Sequence, residues 1–300
     1  MIRNKWIRRT LMALAGLAAL VALAAAVGVQ RANSKMIRQV DVPVKPVAFR
    51  DDPQSLARGK YLYASRGCVD CHGAAGTGAV FVDNGKGLRI GGPNITTGAG
   101  GVVAGYQPVD WVRSIRHGVN PKGRALMIMP SEDYNRFTDD DLASLVAYVR
   151  SLAPAPGQGA IVELPLPVRV LYGFGAIKDA AAKINHNLPP QQPVAEGVTL
   201  AHGAYVANMC IGCHGEKLAG GKIPGGPPDW PAAANLTPGE GSVMPMYPTD
   251  EAMIRMFKTG KRPDGSAVKV MPFVSLREMN ETDLRAMYLY LRSLPPQPKG

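Results

Sequence analysis

The four cysteines of the chain occur in two copies of one pattern, Cys-x-x-Cys followed directly by His. The first copy contains Cys68, Cys71 and His72, and the second contains Cys210, Cys213 and His214. Two thiols at this spacing can reach the two vinyl groups of one porphyrin, and the adjacent histidine can then bind its iron. The pattern therefore predicts two covalently bound haem c groups, with these histidines as proximal ligands.

Two other uses of paired cysteines fit less well. A zinc site built from two Cys-x-x-Cys pairs needs four thiolates at one ion and does not need a histidine after each pair. A thioredoxin-like dithiol would not normally occur twice with that histidine both times. Haem attachment also uses all four cysteines, which leaves none for a disulfide.

The sequence repeats itself at an interval of 142 residues. Cys210 follows Cys68 at that interval, and several later residues do the same. The further matches are Gly118 and Gly260, Met129-Pro130 and Met271-Pro272, Asp141-Leu142 and Asp283-Leu284, and Arg150-Ser151-Leu152 and Arg292-Ser293-Leu294. The chain is therefore a duplication of one unit.

Methionine is the leading candidate for the second axial ligand of each iron. A Met-Pro pair follows each haem motif, with 57 residues from the histidine to the methionine in both units. The pairs are His72 with Met129, and His214 with Met271. A lone methionine is more often core filler, and Met127 is an alternative in the first unit, although its counterpart is Lys269. With both axial positions filled, the iron has no vacancy for oxygen or peroxide, which favours electron transfer over catalysis.

The elements that carry these residues are predicted to be helices. Helices over 53–66 and 199–208 lead into the haem motifs, and another runs from Pro108 to a stop at Gly118. Thr138 is a predicted N-cap, and three aspartates follow it where the helix dipole favours anions. The helix that starts there is the last of the first unit. Its predicted buried stripe is formed by Leu142, Leu145, Val146 and Val149.

The N-terminal region contains an uncharged run of 20 residues, from Thr10 to Val29. At 1.5 Å per residue, a helix of this length crosses about 30 Å of hydrocarbon. Four basic residues precede the run without any acid, so the positive-inside rule leaves them in the cytoplasm. We predict a bacterial inner-membrane anchor with the haem units in the periplasm. A signal peptide cleaved near Ala24-Ala25-Ala26 is the alternative.

The formal net charge of +11 is spread along the chain, with +4 in residues 1–29, +5 in 30–152 and +2 in 153–300. Four haem propionates would offset about four of these charges, and the compartment also argues against nucleic-acid binding. A local excess of basic residues precedes each candidate methionine: Arg113, Arg116, Lys122 and Arg124, and then Arg255, Lys258, Lys261, Arg262 and Lys269. This pattern is read either as solvated surface or as a basic rim that steers an acidic redox partner.

Taken together, the haem motifs, the Met-Pro pairs and the amphipathic last helices resemble class I cytochrome c in two tandem copies, over 53–152 and 199–294. The chain is most similar to the cytochrome c subunits of bacterial gluconate and alcohol dehydrogenases. The residues that carry this likeness are Asn94-Ile95-Thr96-Thr97, Arg116-His117-Gly118-Val119, Met129-Pro130 and Leu164-Pro165-Leu166-Pro167-Val168-Arg169. Those subunits usually have three haem motifs, whereas this chain has two.

The resemblance implies an all-α protein and assigns further roles. The carbonyl of Pro93 would hold the haem histidine of the first unit, whereas Ala234 stands at that position in the second. Gly59 with Tyr148, and Gly203 with Tyr290, would mark where the first and last helices of each unit cross. The expected domains are a transmembrane helix (1–30), two cytochrome c domains (31–152 and 199–300) and a Pro/Gly-rich linker (153–198) with one short helix at about 168–183.

The predicted function is single-electron transfer between a periplasmic dehydrogenase or quinol-oxidising complex and a terminal oxidase or soluble carrier. The chain itself would perform no substrate chemistry. A dihaem peroxidase is an alternative from the enzyme class, but it needs one iron with a vacant or displaceable ligand. The dihaem subunit of a haem-copper oxidase is a further alternative.

Overall fold

The apolar N-terminal run lies in a long helix, α1 (Ile2–Ile37). In the computed structural model, which describes residues 2–227 and 229–300, this helix contains a window of mean hydropathy 2.4, of which 6% is buried. Within those two ranges it alone is long and apolar enough to cross a membrane. A membrane anchor and a signal sequence share this property.

The two repeats fold into corresponding sets of helices. After α1 the helices are α2 (Pro53–Ser65), α3 (Cys68–His72), α4 (Pro108–His117), α5 (Ser131–Tyr134), α6 (Asp139–Ser151), α7 (Leu166–Phe174), α8 (Leu200–Ala207), α9 (Ile211–His214), α10 (Asp250–Thr259), α11 (Phe273–Leu276) and α12 (Glu281–Ser293). The predicted helices over 53–66, 108–118 and 199–208 are confirmed to within one residue at each end. The mostly helical architecture confirms the predicted fold class.

Local sequence determines where these helices begin and end. Asp52 caps α2 by accepting a hydrogen bond from the backbone N–H of Ser55 at 2.8 Å. Thr138 caps α6 as predicted, because its hydroxyl accepts from the N–H of Asp141 at 3.0 Å. Gly118 ends α4 with φ of 62°, a left-handed conformation that glycine adopts without strain.

In each repeat the first and last helices cross at a glycine. A Cβ atom on either glycine would lie within about 2 Å of a carbonyl oxygen of the facing helix and 2.7 Å from the Cβ of a tyrosine. The pairs are Gly59 with Tyr148 and Gly203 with Tyr290. These are the contacts that the sequence predicted, and they leave no space for a side chain at either crossing.

A small antiparallel sheet is added to the first repeat. Its strands are β1 (Ala79–Asp83), β2 (Arg89–Gly92) and β3 (Ile161–Glu163), in that order across the sheet. The sequence prediction did not include the sheet, although the run Val80-Phe81-Val82 is of the β-branched and aromatic type that favours strands. Because β3 lies inside 153–198, part of this interval packs onto the first repeat.

The rest of that interval also differs from the predicted single helix at about 168–183. Helix α7 ends at Gly175, and residues Ala181–Lys183 form a separate 3₁₀ turn. Glycine ends a helix readily, which accounts for the shorter element. Helix α7 packs against the C-terminal half of α1.

Candidate haem sites and the interface between them

The first Cys-x-x-Cys-His motif forms one helical turn, α3, and its histidine is held from behind. Nδ1 of His72 donates a hydrogen bond to the carbonyl of Pro93 at 2.9 Å, since a carbonyl can only accept. Burial lowers the pKa of His72, which favours the neutral imidazole. Nε2 of this tautomer then has a free lone pair, the form in which histidine binds a metal.

The second motif is held in the same way, although no proline is present. Nδ1 of His214 donates to the carbonyl of Ala234 at 2.8 Å, and burial lowers the pKa of His214 as well. The sequence prediction assigned no residue to this role, because it looked for a proline. Any residue can supply a backbone carbonyl, and the alignment of Ala234-Asn235 with Pro93-Asn94 was the available signal.

A buried asparagine follows each of these carbonyls and fixes the loop. Asn94 donates to the carbonyl of Ala155 at 2.8 Å, and Asn235 donates to that of Gln297 at 2.9 Å. Both asparagines are fully buried. The residues just after the last helix of each repeat therefore clamp the loop that orients the histidine.

The candidate methionines begin matching turns. The N–H of Ser131 bonds the carbonyl of Met129 at 2.8 Å, and the N–H of Phe273 bonds that of Met271 at 2.9 Å. Met129 packs against the hydrophobic core of the first repeat, as does Cys68. In the second repeat Met271 and its cysteine counterpart pack against the core in the same way. Met127, the alternative, is not among the described residues that pack against that core.

Three of the four cysteines, Cys68, Cys71 and Cys210, are half-buried, and Cys213 is exposed. Burial raises the pKa of Cys68, of Cys71 and of Cys210 to about 12 in each case, and it raises the pKa of Cys213. The raised pKa values favour protonated thiols at neutral pH.

The two repeats contact each other through reciprocal tyrosine-to-aspartate hydrogen bonds. Tyr61 donates to Asp283 at 2.6 Å, and Tyr205 donates to Asp141 at 2.7 Å. Each tyrosine ends a Leu-Ala-x-Gly-x-Tyr segment, at 56–61 in the first repeat and 200–205 in the second, and each aspartate lies near the start of the last helix of its repeat. The repeats are therefore related at this interface by an approximate two-fold relationship.

Charged partners complete each of these contacts. Arg58 forms a bidentate pair with Asp141 at 2.8 and 2.9 Å. Its counterpart His202 donates to Asp283 at 2.7 Å, and Arg66 of the first repeat also pairs with Asp283. Although burial raises the pKa of Asp283, Arg66 and the hydrogen-bond donors around it lower the pKa below its ordinary value. The carboxylate is therefore ionised in a buried site.

Each haem motif also touches the turn that follows the other repeat's methionine. The N–H of Gly212, inside the second motif, donates to Asp133 at 2.8 Å. Ser275, which stands at the position of Asp133 in the second repeat, donates to Asp70 inside the first motif. These contacts bring the two candidate haem sites to the same interface.

The basic residues before the methionines do not all face solvent. Arg116 is only 3% exposed and pairs with Asp139 at 2.7 Å. Lys258 donates to two backbone carbonyls, those of Arg277 and Met279, at 2.6 Å each. Two members of the predicted rim therefore stabilise the fold, whereas Lys122, Lys261 and Lys269 are exposed.

Comparison with known proteins decides the family. The profile described as cytochrome c matches twice, over residues 56–153 and 198–295. The chain belongs to the cytochrome c family. The predicted resemblance is thereby confirmed, and both repeats are cytochrome c domains.

Three similar proteins are cytochrome subunits. The fructose dehydrogenase cytochrome subunit of Gluconobacter japonicus is 27% identical over 84% of this chain and 55% of that protein. The cytochrome c subunit of alcohol dehydrogenase (quinone) from Gluconobacter oxydans (strain 621H) is 25% identical over 83% and 56%. The gluconate 2-dehydrogenase cytochrome c subunit of Pantoea cypripedii is 26% identical over 82% and 62%. The chain spans little more than half the length of these curated relatives.

As a cytochrome c with two domains, the chain carries two covalently bound haem c groups and is an electron-transfer protein rather than an enzyme. The residues present fit these groups. Each histidine keeps one ring nitrogen for a ligand, and the four thiols are uncharged. The indole Nε1 of Trp111 is buried without a partner among the described residues, which is the state expected of a donor that faces a polar group of a bound cofactor.

Proposed function

We propose that this cytochrome is a membrane-anchored, dihaem electron carrier. It passes single electrons between a periplasmic dehydrogenase or quinol-oxidising complex and a terminal oxidase or soluble carrier. The similar proteins are named as cytochrome subunits of sugar and alcohol dehydrogenases, which supports a dehydrogenase as the electron donor. Bound haem supplies one-electron redox chemistry at its iron.

In this proposal the two motifs provide covalent attachment and the proximal ligands. Cys68 and Cys71 hold one haem, and Cys210 and Cys213 hold the other. His72 and His214 bind the irons through Nε2, while Pro93 and Ala234 accept from Nδ1 and fix the orientation of each ring. Such outer hydrogen bonds also raise the basicity of the ligand.

Met129 and Met271 are the distal ligands in the proposal. The observation that carries it is the matched Met-Pro turn, with the same backbone hydrogen bond and the same packing against the core in both repeats. Thioether ligation favours ferrous iron and raises the potential of a haem. With both faces of each iron closed, the chain transfers electrons without binding a substrate.

The domain arrangement follows from the same features. The apolar run within residues 1–30 spans the inner membrane, and the domains at 31–152 and 199–300 stand in the periplasm, joined by 153–198. The reciprocal contacts at Asp133 and Asp70 keep the two haem motifs adjacent, so that electrons entering at one domain can leave from the other.

The test is isolation of the native membrane complex with the full chain as bait. We expect a dehydrogenase or quinol-oxidising complex to co-purify, and its substrate to reduce both haems. Raised salt should slow this reduction if the basic rim steers the partner. Hydrogen peroxide turnover by the reduced chain would overturn the proposal, because it requires an open coordination site.

A further inference from the structure

A single transmembrane helix would leave the haem domains free to swing, yet the structure fixes the outer end of α1 to them. The helix continues past the apolar run at Val29 to Ile37, and α7 packs along this continuation. At the contact, a Cβ on Gly173 would lie 1.9 Å from the carbonyl oxygen of Gly28. The two helices therefore touch backbone to backbone at the last turn of the apolar run.

Polar contacts lock the two helices together beyond this crossing. Lys35 donates to the carbonyl of Tyr172 at 2.9 Å. Arg38 forms a bidentate pair with Asp179 at 2.6 and 2.7 Å, and Tyr172 donates to the same carboxylate at 2.7 Å. The N–H of Ala180 then bonds a carbonyl of the first haem domain at 2.9 Å. These contacts join the C-terminal end of α1 to α7 and to the first haem domain.

The apolar surface of α7 is partly uncovered, although the ring of Phe174 also borders Gly28 and Arg31 of α1. Leu166 is 57% exposed, Leu171 is 47% exposed and Phe174 is 49% exposed, in a helix of nine residues that contains no acid. Exposed apolar side chains of α1, such as Val27, continue the same surface toward the hydrocarbon-length run. Exposed apolar area of this kind, at the end of a membrane helix, is expected to contact the lipid boundary.

The basic residues around the exposed apolar side chains of α7 are suited to an anionic lipid surface. Arg31, Lys35 and Arg169 contact uncharged groups where α1 and α7 pack, namely the ring of Phe174, the carbonyl of Tyr172 and the side chain of Asn33. Lys178 follows α7. The nearby acid, Asp179, is already paired within the protein. Basic residues beside an apolar helix face are the pattern of an interfacial helix on acidic headgroups.

We propose that α7 is an interfacial helix, which inserts Leu166, Leu171 and Phe174 into the boundary between headgroups and acyl chains beside α1. This inference rests on the proposed anchoring by α1. Its consequence is that the first haem domain is held at a set height and orientation on the membrane, rather than on a loose tether.

The test uses the haem-loaded full chain in nanodiscs of phosphatidylethanolamine and phosphatidylglycerol that contain a phospholipid with a photoreactive diazirine on its acyl chain. After illumination, lipid adducts are mapped by mass spectrometry. We expect adducts in the apolar run of α1 and in residues 166–174. The double variant Leu171→Glu/Phe174→Glu should lose adducts in 166–174 several-fold while those in α1 persist.

Val274→Glu is the matched control, because Val274 is an apolar residue of the second domain that is 62% exposed. It should leave the adduct pattern unchanged. Adducts in α1 with none in 166–174 would overturn the interfacial role of α7 and leave the proposed anchor intact. Adducts in neither segment would overturn both the anchor and this inference.

Discussion

Tyr61 of the first domain donates its phenol proton to Asp283 of the second, with 2.6 Å between the oxygens. The second domain returns the contact, since Tyr205 donates to Asp141 at 2.7 Å. Arg66, 3% exposed, adds a charge beside the fully buried Asp283. The interface between the domains is therefore polar, buried and dependent on complete pairing.

Removing one partner of the buried pair should be strongly destabilising. We expect Arg66→Met to lower the free energy of unfolding by about 3–5 kcal/mol, because Asp283 would be left as a buried charge without its counterion. Urea unfolding of the haem-loaded chain, followed by haem absorbance, measures the change.

The control for this variant is Arg89→Met. Arg89 is 43% exposed at the side chain and lies 3.4 Å from Glu163 and 3.6 Å from Asp83. Exposed pairs contribute about 0–1 kcal/mol, so the control should change little. Equal losses in the two variants would contradict the role assigned to the buried pair.

Acid should weaken the same interface. Burial raises the pKa of Asp283 and of Asp141, but paired arginines and hydrogen bonds outweigh burial and lower both values. The unfolded chain then binds protons more readily than the folded one, so this stabilisation is complete above the ordinary carboxyl pKa of about 4 and is lost as the pH falls through the lowered values.

Unfolding measured from neutral pH down to about pH 3 tests this dependence. The full chain should lose stability below about pH 4, and the variant Asp283→Asn should lose less over the same range because it has one fewer carboxylate to protonate. If the unfolding free energy of the variant fell with pH as steeply as that of the unmodified chain, protonation of Asp283 would not be the cause.

Replacing either methionine that we propose as a distal ligand should open one iron. We expect Met129→Ala and Met271→Ala each to let one of the two ferrous haems bind carbon monoxide and to lower the potential of that haem, because the thioether is lost. Carbon monoxide difference spectra and a redox titration provide the measurement.

Met127→Ala provides the matched control in the first domain. It should leave carbon monoxide binding and both potentials as in the unmodified chain. Full binding at both irons without any substitution, or an open iron only in the Met127 variant, would show that the ligands are assigned wrongly.

The glycines at the helix crossings should not tolerate a methyl group. In Gly59→Ala the new Cβ would meet the carbonyl oxygen of Ser144 at 1.9 Å, and in Gly203→Ala that of Ala286 at 2.0 Å. Forcing the helices apart should cost about 1–3 kcal/mol or more of unfolding free energy.

Gly105→Ala serves for comparison, since a Cβ there would meet nothing within 4 Å. It should be neutral, or stabilising by about 0.4–1 kcal/mol. If the crossing variants unfold at the same urea concentration as the Gly105 variant, the close approach of the helices is not a constraint on stability.

The features that sequence predicted well are those determined by local chemistry. Thr138 begins one helix and Gly118 ends another through contacts with their immediate neighbours, so their residue types are informative. The Cys-x-x-Cys-His motif is equally local. The resemblance to class I cytochrome c added a long-range prediction, the crossing of Gly59 against Tyr148, which the structure contains.

The features that sequence did not predict depend on partners far along the chain. Tyr61 and Asp283 are separated by 222 residues, and no local pattern indicates that they meet. The carbonyl that holds His214 belongs to alanine, whose type carries no signal for this role. Likewise, the sequence left Arg116 as either a solvated charge or a member of a basic rim. Its sequence pattern does not show that it is buried and paired with Asp139.

The reciprocal tyrosine and aspartate contacts have the form of an isologous surface, in which one patch complements itself. Because both copies of the patch lie in one polypeptide, their association does not depend on protein concentration. The two halves are not identical, since His202 of the second stands where Arg58 stands in the first.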